Sequence, residues 1–202
     1  MNSITPELAE ILGLLCAEGS HIVSYTNYFE MNRGTLRFRK NKKSERIEFY
    51  NKDKKLLWHY NQLLNQEFDY YPKVTKWGKV NICKKVIIAK IISYTHLGHL
   101  SWRVPEVVFD SSDEVKLLFI RGYFDGDGTS SGSSVRMFSV NQEGINQVSR
   151  LLNSLEFEHT IQGPILKMNR KPGFILQISA KEKERFLKAV NPISKRSGMR
   201  GL

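Results

Sequence analysis

The chain has 202 residues, 41% of them hydrophobic, which is enough for a globular protein of one or two domains with a buried core. Its net charge of +11 is spread over both halves, so we expect a polyanionic partner and not a basic tail. Two cysteines, no membrane-spanning apolar run and no signal peptide exclude a disulfide framework, a membrane protein and a secreted protein. We therefore expect an intracellular protein, either cytoplasmic (archaeal or bacterial) or organellar.

The first predicted helix begins at Thr5 and Pro6, which are typical of an N-cap and of the first helical position. Apolar residues follow at helical spacing, and the helix ends in Glu18, followed by Gly19. Alternating and periodic patterns predict the elements that come next. They are strands at 22–25, 36–39 and 46–49, a helix at 54–66, strands at 73–75 and 79–82, and a helix at 84–94.

A second copy of this pattern occupies the rest of the chain. Its first helix is predicted from Ser111, with Glu114 at the spacing of a capping box, and it ends in Asp127, followed by Gly128. The order αββαββα then occurs twice, which predicts an α+β fold with pseudo-twofold duplicated repeats. The predicted parts are a strand at 134–140, a helix at 143–154, strands at 161–166 and 174–179, a helix at 181–190, a first repeat at 1–98, a linker at 99–112 and a second repeat at 113–202.

The two motif helices each carry small residues four positions apart. They are Gly13 and Ala17 in the first helix and Gly122 and Gly126 in the second. Small residues at this spacing allow two helix backbones to approach closely. Packing along these stripes would bring the C-terminal ends of the helices together and make their two final carboxylates neighbours.

Two carboxylates at adjacent helix ends are suitable ligands for Mg²⁺, which could activate water and stabilise charge on a phosphodiester. For one helix alone, a surface acid is the simpler interpretation. Negative charge at a helix C-terminus is unfavourable, however, and its occurrence twice beside glycine favours a metal site. Asp125 is interpreted as structural, because its counterpart in the first motif is Cys16. The predicted metal site comprises Glu18, Asp127, Gly19 and Gly128.

The predicted strands carry many cations. Arg37 and Arg39 share one strand face, with Leu36 and Phe38 on the other, so we expect a basic exposed face on a sheet whose back packs on a core. A β-ribbon of this kind can enter the DNA major groove. A solvated surface is the simpler interpretation of any single residue, whereas the set favours DNA contact. The predicted DNA-binding residues are Arg33, Arg37, Arg39, Lys40, Lys42, Lys43, Arg46, Lys73, Lys76, Lys79, Asn81, Arg136, Lys167, Arg170, Lys171 and Gln177.

The segments 11–19 and 120–128 resemble the LAGLIDADG signature, and nearly the whole chain resembles a monomeric, two-motif LAGLIDADG homing endonuclease. The first motif departs from the pattern at Cys16 and at Glu18, although Glu18 keeps the ligand chemistry. The resemblance implies antiparallel β-sheets that form a DNA-binding saddle, with the two motif helices packed at the centre. It also implies a monomer that acts as a pseudo-dimer and hydrolyses both strands of a long, asymmetric double-stranded DNA site. Mg²⁺, or another divalent cation such as Mn²⁺, would serve as cofactor, and short 3′ overhangs would result.

The family also places a polar residue after the second strand of each repeat, near the attacking water. Asn51 matches this position in the first repeat, and Ser139 or Asn141 matches it in the second. A basic residue after the last helix often lies near the scissile phosphate, and Lys195 is the candidate. The first repeat offers no clear equivalent. The resemblance thus implies a catalytic set of Glu18, Asp127, Asn51, Ser139 and Lys195.

The main alternative is a maturase, in which the same fold assists splicing of intron RNA. Loss of an acidic motif residue would have favoured it, but both are present. A transcription regulator would need a separate helix-turn-helix domain, for which two repeats leave no room. An endonuclease within an intein is not expected, because the chain runs from Met1 to Leu202 without a splicing block. We therefore expect a stand-alone, intron-encoded endonuclease that promotes intron mobility.

Overall fold

The structure, a computed structural model, describes residues 4–166 and 168–194. Two helices cross at the centre of the molecule, and each is followed directly by an antiparallel sheet. The α+β class and the antiparallel sheets predicted from the sequence are confirmed. No helix within the described ranges is long and apolar enough to cross a membrane.

The first half is built around a long two-stranded ribbon. Thr5 caps the first helix by accepting a hydrogen bond from the Leu8 amide at 3.2 Å. The ribbon turns at Arg33 and Gly34, whose φ angles of 48° and 80° are those of a tight hairpin turn. The sheet order is β1-β2-β3. The elements are α1 (Pro6–Glu18), β1 (Gly19–Asn32), β2 (Thr35–Tyr50), α2 (Lys54–Phe68), β3 (Lys79–Ile82) and α3 (Lys85–Ile92).

The ribbon differs from the sequence prediction in two ways. The three short strands predicted between residues 22 and 49 are parts of two continuous strands. We expected the ribbon face opposite the cations to pack on a core. This is correct only at the end of the ribbon near α1, where Ile47 and Phe49 are fully buried. Farther out, Leu36 and Phe38 are 61% and 53% exposed. The reason is that the ribbon is longer than the helical layer behind its base, so both faces of its outer part lie in water.

The second half repeats the order of elements with a shorter hairpin and an additional strand. Its motif helix begins after Ser112, one residue later than predicted, and the Ser112 side chain makes no capping hydrogen bond. The sheet order is β4-β5-β7-β6. The elements are α4 (Glu106–Phe109), α5 (Asp113–Asp127), β4 (Gly128–Ser131), β5 (Ser134–Ser139), α6 (Gln142–Ser154), β6 (His159–Ile165), β7 (Gly173–Ile178), a 3-10 turn (Ala180–Glu182) and α7 (Lys183–Val190).

The segment between the halves is packed against the second half. Trp102 is buried, and its carbonyl accepts a hydrogen bond from the Asn141 side chain at 2.7 Å. The Val104 amide donates to the side chain of Gln147 at 2.8 Å. These contacts attach the linker to α6, so it is an ordered part of the core.

The two motif helices cross where each has a glycine. A Cβ atom on Gly13 would lie 2.1 Å from the Phe119 carbonyl oxygen, and one on Gly122 would lie 2.3 Å from the Glu10 carbonyl oxygen. Such distances are far below van der Waals contact, so no residue with a side chain fits at either position without displacement. The glycines therefore set the distance between the halves.

Candidate active site and nucleic-acid interface

The C-terminal ends of α1 and α5 lie side by side. A Cβ atom on Gly126 would lie 2.3 Å from the Ala17 Cβ and 3.2 Å from the Glu18 Cγ. The Glu18 side chain therefore packs against the residue that precedes Asp127. Both carboxylates are half-buried. The structure thus brings together the two acidic residues that the sequence analysis singled out.

The glycine after each carboxylate has the same local role in both halves. Gly19 and Gly128 have φ, ψ angles of −91°, 152° and −89°, 159°, and their amides donate to the carbonyls of Leu15 and Phe124. A Cβ atom would lie 2.4 Å from the Leu15 oxygen and 2.3 Å from the Phe124 oxygen. Glycine thus lets the chain pass from helix to strand within one residue, which holds each carboxylate at the junction.

The site has a negative electrostatic character that suits a cation. Each helix C-terminus carries a partial negative charge, and neither α1 nor α5 has a basic residue in its last turn. Burial, and next the charge of Asp127, raise the pKa of the Tyr123 hydroxyl well above its ordinary value. The described residues contain no cluster of three or more His, Cys, Asp or Glu side chains. Two carboxylates completed by water and substrate oxygens are the environment that Mg²⁺ prefers, so the residues fit such an ion.

The register of the two sheets identifies equivalent positions in the halves. The glycine after each carboxylate pairs with Phe49 in the first sheet and with Met137 in the second. Two residues farther along lie Asn51 and Ser139, respectively. Of the two candidates that the sequence left open, Ser139 is therefore the structural counterpart of Asn51.

Asn51 and Ser139 also make the same hydrogen bond. The Asn51 Oδ1 accepts from the Asp53 amide at 2.9 Å, and the Ser139 Oγ accepts from the Asn141 amide at 3.0 Å. Asp53 and Asn141 are the N-caps of α2 and α6. Both predicted catalytic side chains are buried and fix the turn from strand to helix. A role beside an attacking water stays a prediction for each of them.

Asp125 and Cys16 hold equivalent segments by different chemistry. The Asp125 carboxylate is buried and accepts hydrogen bonds from the amides of Ile193 and Ser194 at 2.9 and 2.8 Å. The Cys16 thiol donates to the Arg103 carbonyl at 3.7 Å. Burial raises the pKa of Asp125, and it raises the pKa of Cys16 to about 12. Each of the two residues therefore anchors the segment that follows the last helix of its half. Lys195, the predicted basic residue after the last helix, lies outside the described residues.

A buried charge cluster that the sequence analysis missed connects the halves. Glu10 of α1 is buried, with the Arg121 Nε at 2.8 Å and the His59 Nε2 at 2.7 Å from its Oε1. Burial by itself would raise the pKa of Glu10, but the hydrogen bonds and charges of His59 and Arg121 outweigh it and lower the pKa. The sequence did contain a signal for this cluster, because each motif helix has a charged residue next to its apolar stretch, Glu10 in α1 and Arg121 in α5.

The ribbon has a polar face and an apolar face. Arg39 lies 2.6 Å from Glu30, and the Lys42 ammonium contacts the Tyr28 hydroxyl, so these side chains share one face. Lys43 lies on the opposite face, where it pairs with Glu45. Carboxylates therefore lie between the predicted DNA-binding cations. The sequence analysis did not consider these carboxylates. By register, the polar face carries Arg37, Arg39, Lys42 and Arg46, with Arg33 in the turn and Lys40 at a bulge.

The remaining predicted DNA-binding residues are divided between the halves. Arg136 and Gln177 lie side by side on the second sheet, where the guanidinium donates to the amide oxygen at 3.0 Å. Lys79 pairs with Glu48 at 2.9 Å. The others are Lys73 and Lys76 before β3, Asn81 on β3, Arg170 and Lys171 between β6 and β7, and Lys167, which lies outside the described residues.

Comparison with known proteins shows which family and fold the chain resembles. Residues 114–191 match the family described as LAGLIDADG-like domain. The chain has the LAGLIDADG fold. Structures of the homing endonuclease I-DmoI superpose with TM-scores of 0.64 and 0.62, at 20% and 19% identity, and cover 92% of this chain and 94% and 96% of those chains. The N-terminal LAGLIDADG domain of DUF199/WhiA superposes with a TM-score of 0.55 at 15% identity, covering 97% of this chain and 88% of that domain. The resemblance stated from the motifs is confirmed.

Curated relatives are similar over much of this chain. A DNA polymerase of Thermococcus sp. (strain GE8) is 30% identical over 150 residues, or 74% of this chain. A DNA polymerase of Thermococcus hydrothermalis is 32% identical over 157 residues, or 75% of this chain. The chain spans about 8% of the length of each relative. The chain thus resembles one small segment of these much longer proteins.

Proposed function

We propose that this LAGLIDADG protein is a site-specific DNA endonuclease that cuts both strands with the help of a divalent cation. The observation that carries the proposal is the meeting of two half-buried carboxylates, Glu18 and Asp127, at the ends of helices that cross between two antiparallel sheets. The excess positive charge and the shared fold with I-DmoI, which was crystallised in complex with DNA and Mn, support a DNA substrate.

The chain's own residues would hold the ion and position the substrate. Glu18 and Asp127 would bind Mg²⁺ or another divalent cation such as Mn²⁺, together with backbone oxygens at Gly19 and Gly128. Such an ion, when bound, activates water and stabilises charge on a phosphodiester. Close packing at Gly126 keeps the two carboxylates together. β2 and β5, which pair with the strands that start at the two junctions, carry cations that would contact DNA phosphates.

The differing sheets favour a long and asymmetric target. The first sheet extends into a ribbon with strands of 14 and 16 residues, whereas the equivalent strands of the second sheet have 4 and 6 residues. One monomer would act as a pseudo-dimer, with one strand cut near each carboxylate to leave short 3′ overhangs. Similarity to a small segment of long polymerases supports a portable module, and we propose an intron-encoded enzyme that promotes intron mobility.

The test is cleavage of a randomised or intron-insertion-site DNA library in Mg²⁺, with Ca²⁺ as a control. Asp127→Asn and Glu18→Gln keep the side-chain shape but remove the charge at the site. We expect each to slow double-strand cutting by at least about 100-fold, because a cation ligand is worth several kcal/mol, while DNA binding is retained. Asp113→Asn, on the exposed first turn of α5, is the matched control and should cut normally.

The outcomes separate the candidate functions. Discrete double-strand cuts in Mg²⁺ that disappear in both carboxylate variants would establish the nuclease and reveal its target. Nearly normal cutting by Asp127→Asn would refute its role as a metal ligand. DNA binding without cuts by the unmodified protein would favour the maturase, and splicing of intron RNA would then be measured.

A further inference from the structure

A cleft of about 880 Å³ opens in the first half, between α2 and the segment that leads into β3. Its walls include three large aromatic side chains that lie mostly in solvent. Trp58 is 61% exposed, Tyr71 is 56% exposed and Trp77 is 68% exposed. Large exposed aromatic surfaces close together are typical of binding sites.

The cleft is also lined by two buried amides with free hydrogen-bonding capacity. Asn51 and Asn61 are only 4% and 2% exposed. The Asn51 Oδ1 accepts from the Asp53 amide, and the Asn61 Nδ2 donates to the Pro72 carbonyl, so backbone partners determine the orientation of both amides. The Nδ2 of Asn51, a donor, and the Oδ1 of Asn61, an acceptor, have no partner among the described residues. Buried polar atoms of this kind usually have a partner.

The second half has no tryptophan at the two positions equivalent to Trp58 and Trp77. Val80 and Leu176 are equivalent positions, because each pairs with the equivalent residue of the neighbouring strand in its own sheet. Counting back three residues from each places Gly173 where the first half has Trp77. The equivalent N-caps of α2 and α6 place Asn146 where the first half has Trp58. The fold therefore does not require these tryptophans, which favours a binding role over a packing role.

We propose that this cleft binds an unpaired nucleotide of the DNA substrate, an inference that rests on the proposed function. The aromatic walls would stack on the base, which is sequence-tolerant because every base has a π-face. The amide donor and acceptor match the donor and acceptor groups that an unpaired base presents on its Watson–Crick edge. Lys52, Lys54 and Lys76 line the same cleft and would neutralise phosphates.

The position of the cleft links it to the predicted cleavage site. Asn51 lines the cleft and also directly follows β2, beside the junction that carries the first carboxylate. A nucleotide displaced from the duplex at this place would widen access to the backbone of the strand being cut. Because the second half lacks these tryptophans, only one strand of the target would be held in this way.

The test uses the fluorescent base 2-aminopurine in two otherwise identical DNA duplexes, one with the base unpaired and one with it paired. Binding to the full-length protein is measured by fluorescence. We expect tighter binding and stronger quenching for the unpaired base. Trp77→Ala, and separately Trp58→Ala, should weaken binding of the unpaired duplex by about tenfold and remove the quenching. Tyr25→Ala removes an exposed aromatic residue on the ribbon and should change neither result.

The proposal is overturned if the unmodified protein and both tryptophan variants prefer the unpaired duplex over the paired duplex to the same extent. An equal loss in Tyr25→Ala would also overturn it, because the effect would not depend on the cleft. Free deoxyadenosine monophosphate is titrated in parallel, and binding as tight as that of the duplex would identify a free nucleotide as the occupant instead. Cleavage of the paired target is scored separately, so failure of the nuclease function is distinguishable from failure of this inference.

Discussion

The two halves of the molecule agree at the centre and differ at the periphery. At the junctions, Gly19 and Gly128 have nearly the same torsion angles and the same hydrogen bond to the preceding helical turn. Away from the junctions, a long ribbon stands opposite a short hairpin. The strand β6 has as its counterpart only a single bridge between Val74 and Val80.

This difference shows which parts of a duplicated fold are constrained by packing. At the helix crossing, any added Cβ atom would overlap backbone atoms of the other half, so little variation is tolerated there. The outer strands lie in solvent and can change in length or charge at little cost in stability. An asymmetric surface on a symmetric centre agrees with the asymmetric target proposed above.

The largest expected effect is at the cluster that joins the halves. Glu10→Gln would leave the half-buried Arg121 guanidinium without the buried carboxylate that it pairs with, so we expect the free energy of unfolding to fall by about 3–5 kcal/mol. Glu158→Gln breaks an exposed ion pair with Lys181 and should change the free energy of unfolding far less, because solvent screens the pair. Urea denaturation measures both. A similar small loss for both variants would show that the cluster does not hold the halves together.

The same cluster predicts a pH dependence. Folding lowers the pKa of Glu10 below its ordinary value of 4.5, so the charged carboxylate contributes stability that is present above about pH 4.5. This contribution is lost as the pH falls through the lower pKa of the folded state. The difference in stability between the unmodified protein and Glu10→Gln should therefore shrink below about pH 4.5. A difference that stays constant with pH would contradict the assignment.

An intermediate effect is expected at the junction glycines. Gly19→Ala and Gly128→Ala each place a Cβ atom within 2.4 Å of a carbonyl oxygen, so we expect similar losses of about 1–3 kcal/mol, seen as a lower Tm. Gly132→Ala has open space around it and a φ of 53°, and should lose about 1 kcal/mol or less from backbone strain alone. A marked difference in Tm between the two junction variants would show that the two junctions are not equivalent.

Effects of equal or smaller size than those at the junction glycines distinguish Asp125 from Cys16. Asp125→Ala leaves two backbone amides without their acceptor, which should cost about 1–3 kcal/mol. Cys16→Ala removes one weak thiol donor and a small apolar volume, so its cost should be about 1 kcal/mol. Thermal unfolding of the two variants compares them directly. A larger loss of stability for Cys16→Ala than for Asp125→Ala would contradict this prediction.

The fold class and most of the elements were predictable from local patterns, although the strand predicted at 73–75 is only a single bridge. Helical periodicity, the N-cap at Thr5 and the small residues at the crossing act over a few residues, and they are visible in one sequence. The repeated carboxylate and glycine then indicated where the helices meet. The comparison of Asp125 with Cys16 predicted a structural role for Asp125, and its carboxylate accepts hydrogen bonds from two backbone amides.

Other features depend on contacts between distant parts of the chain, and only the tertiary structure decided them. The sequence alone predicted three short strands where the ribbon has two long ones, because strand length depends on pairing and not only on alternation. The burial of Glu10 with Arg121, the exposure of Leu36 and Phe38 and the aromatic cleft all depend on which elements pack together. Local sequence determined what each element is, and packing decided which residues meet.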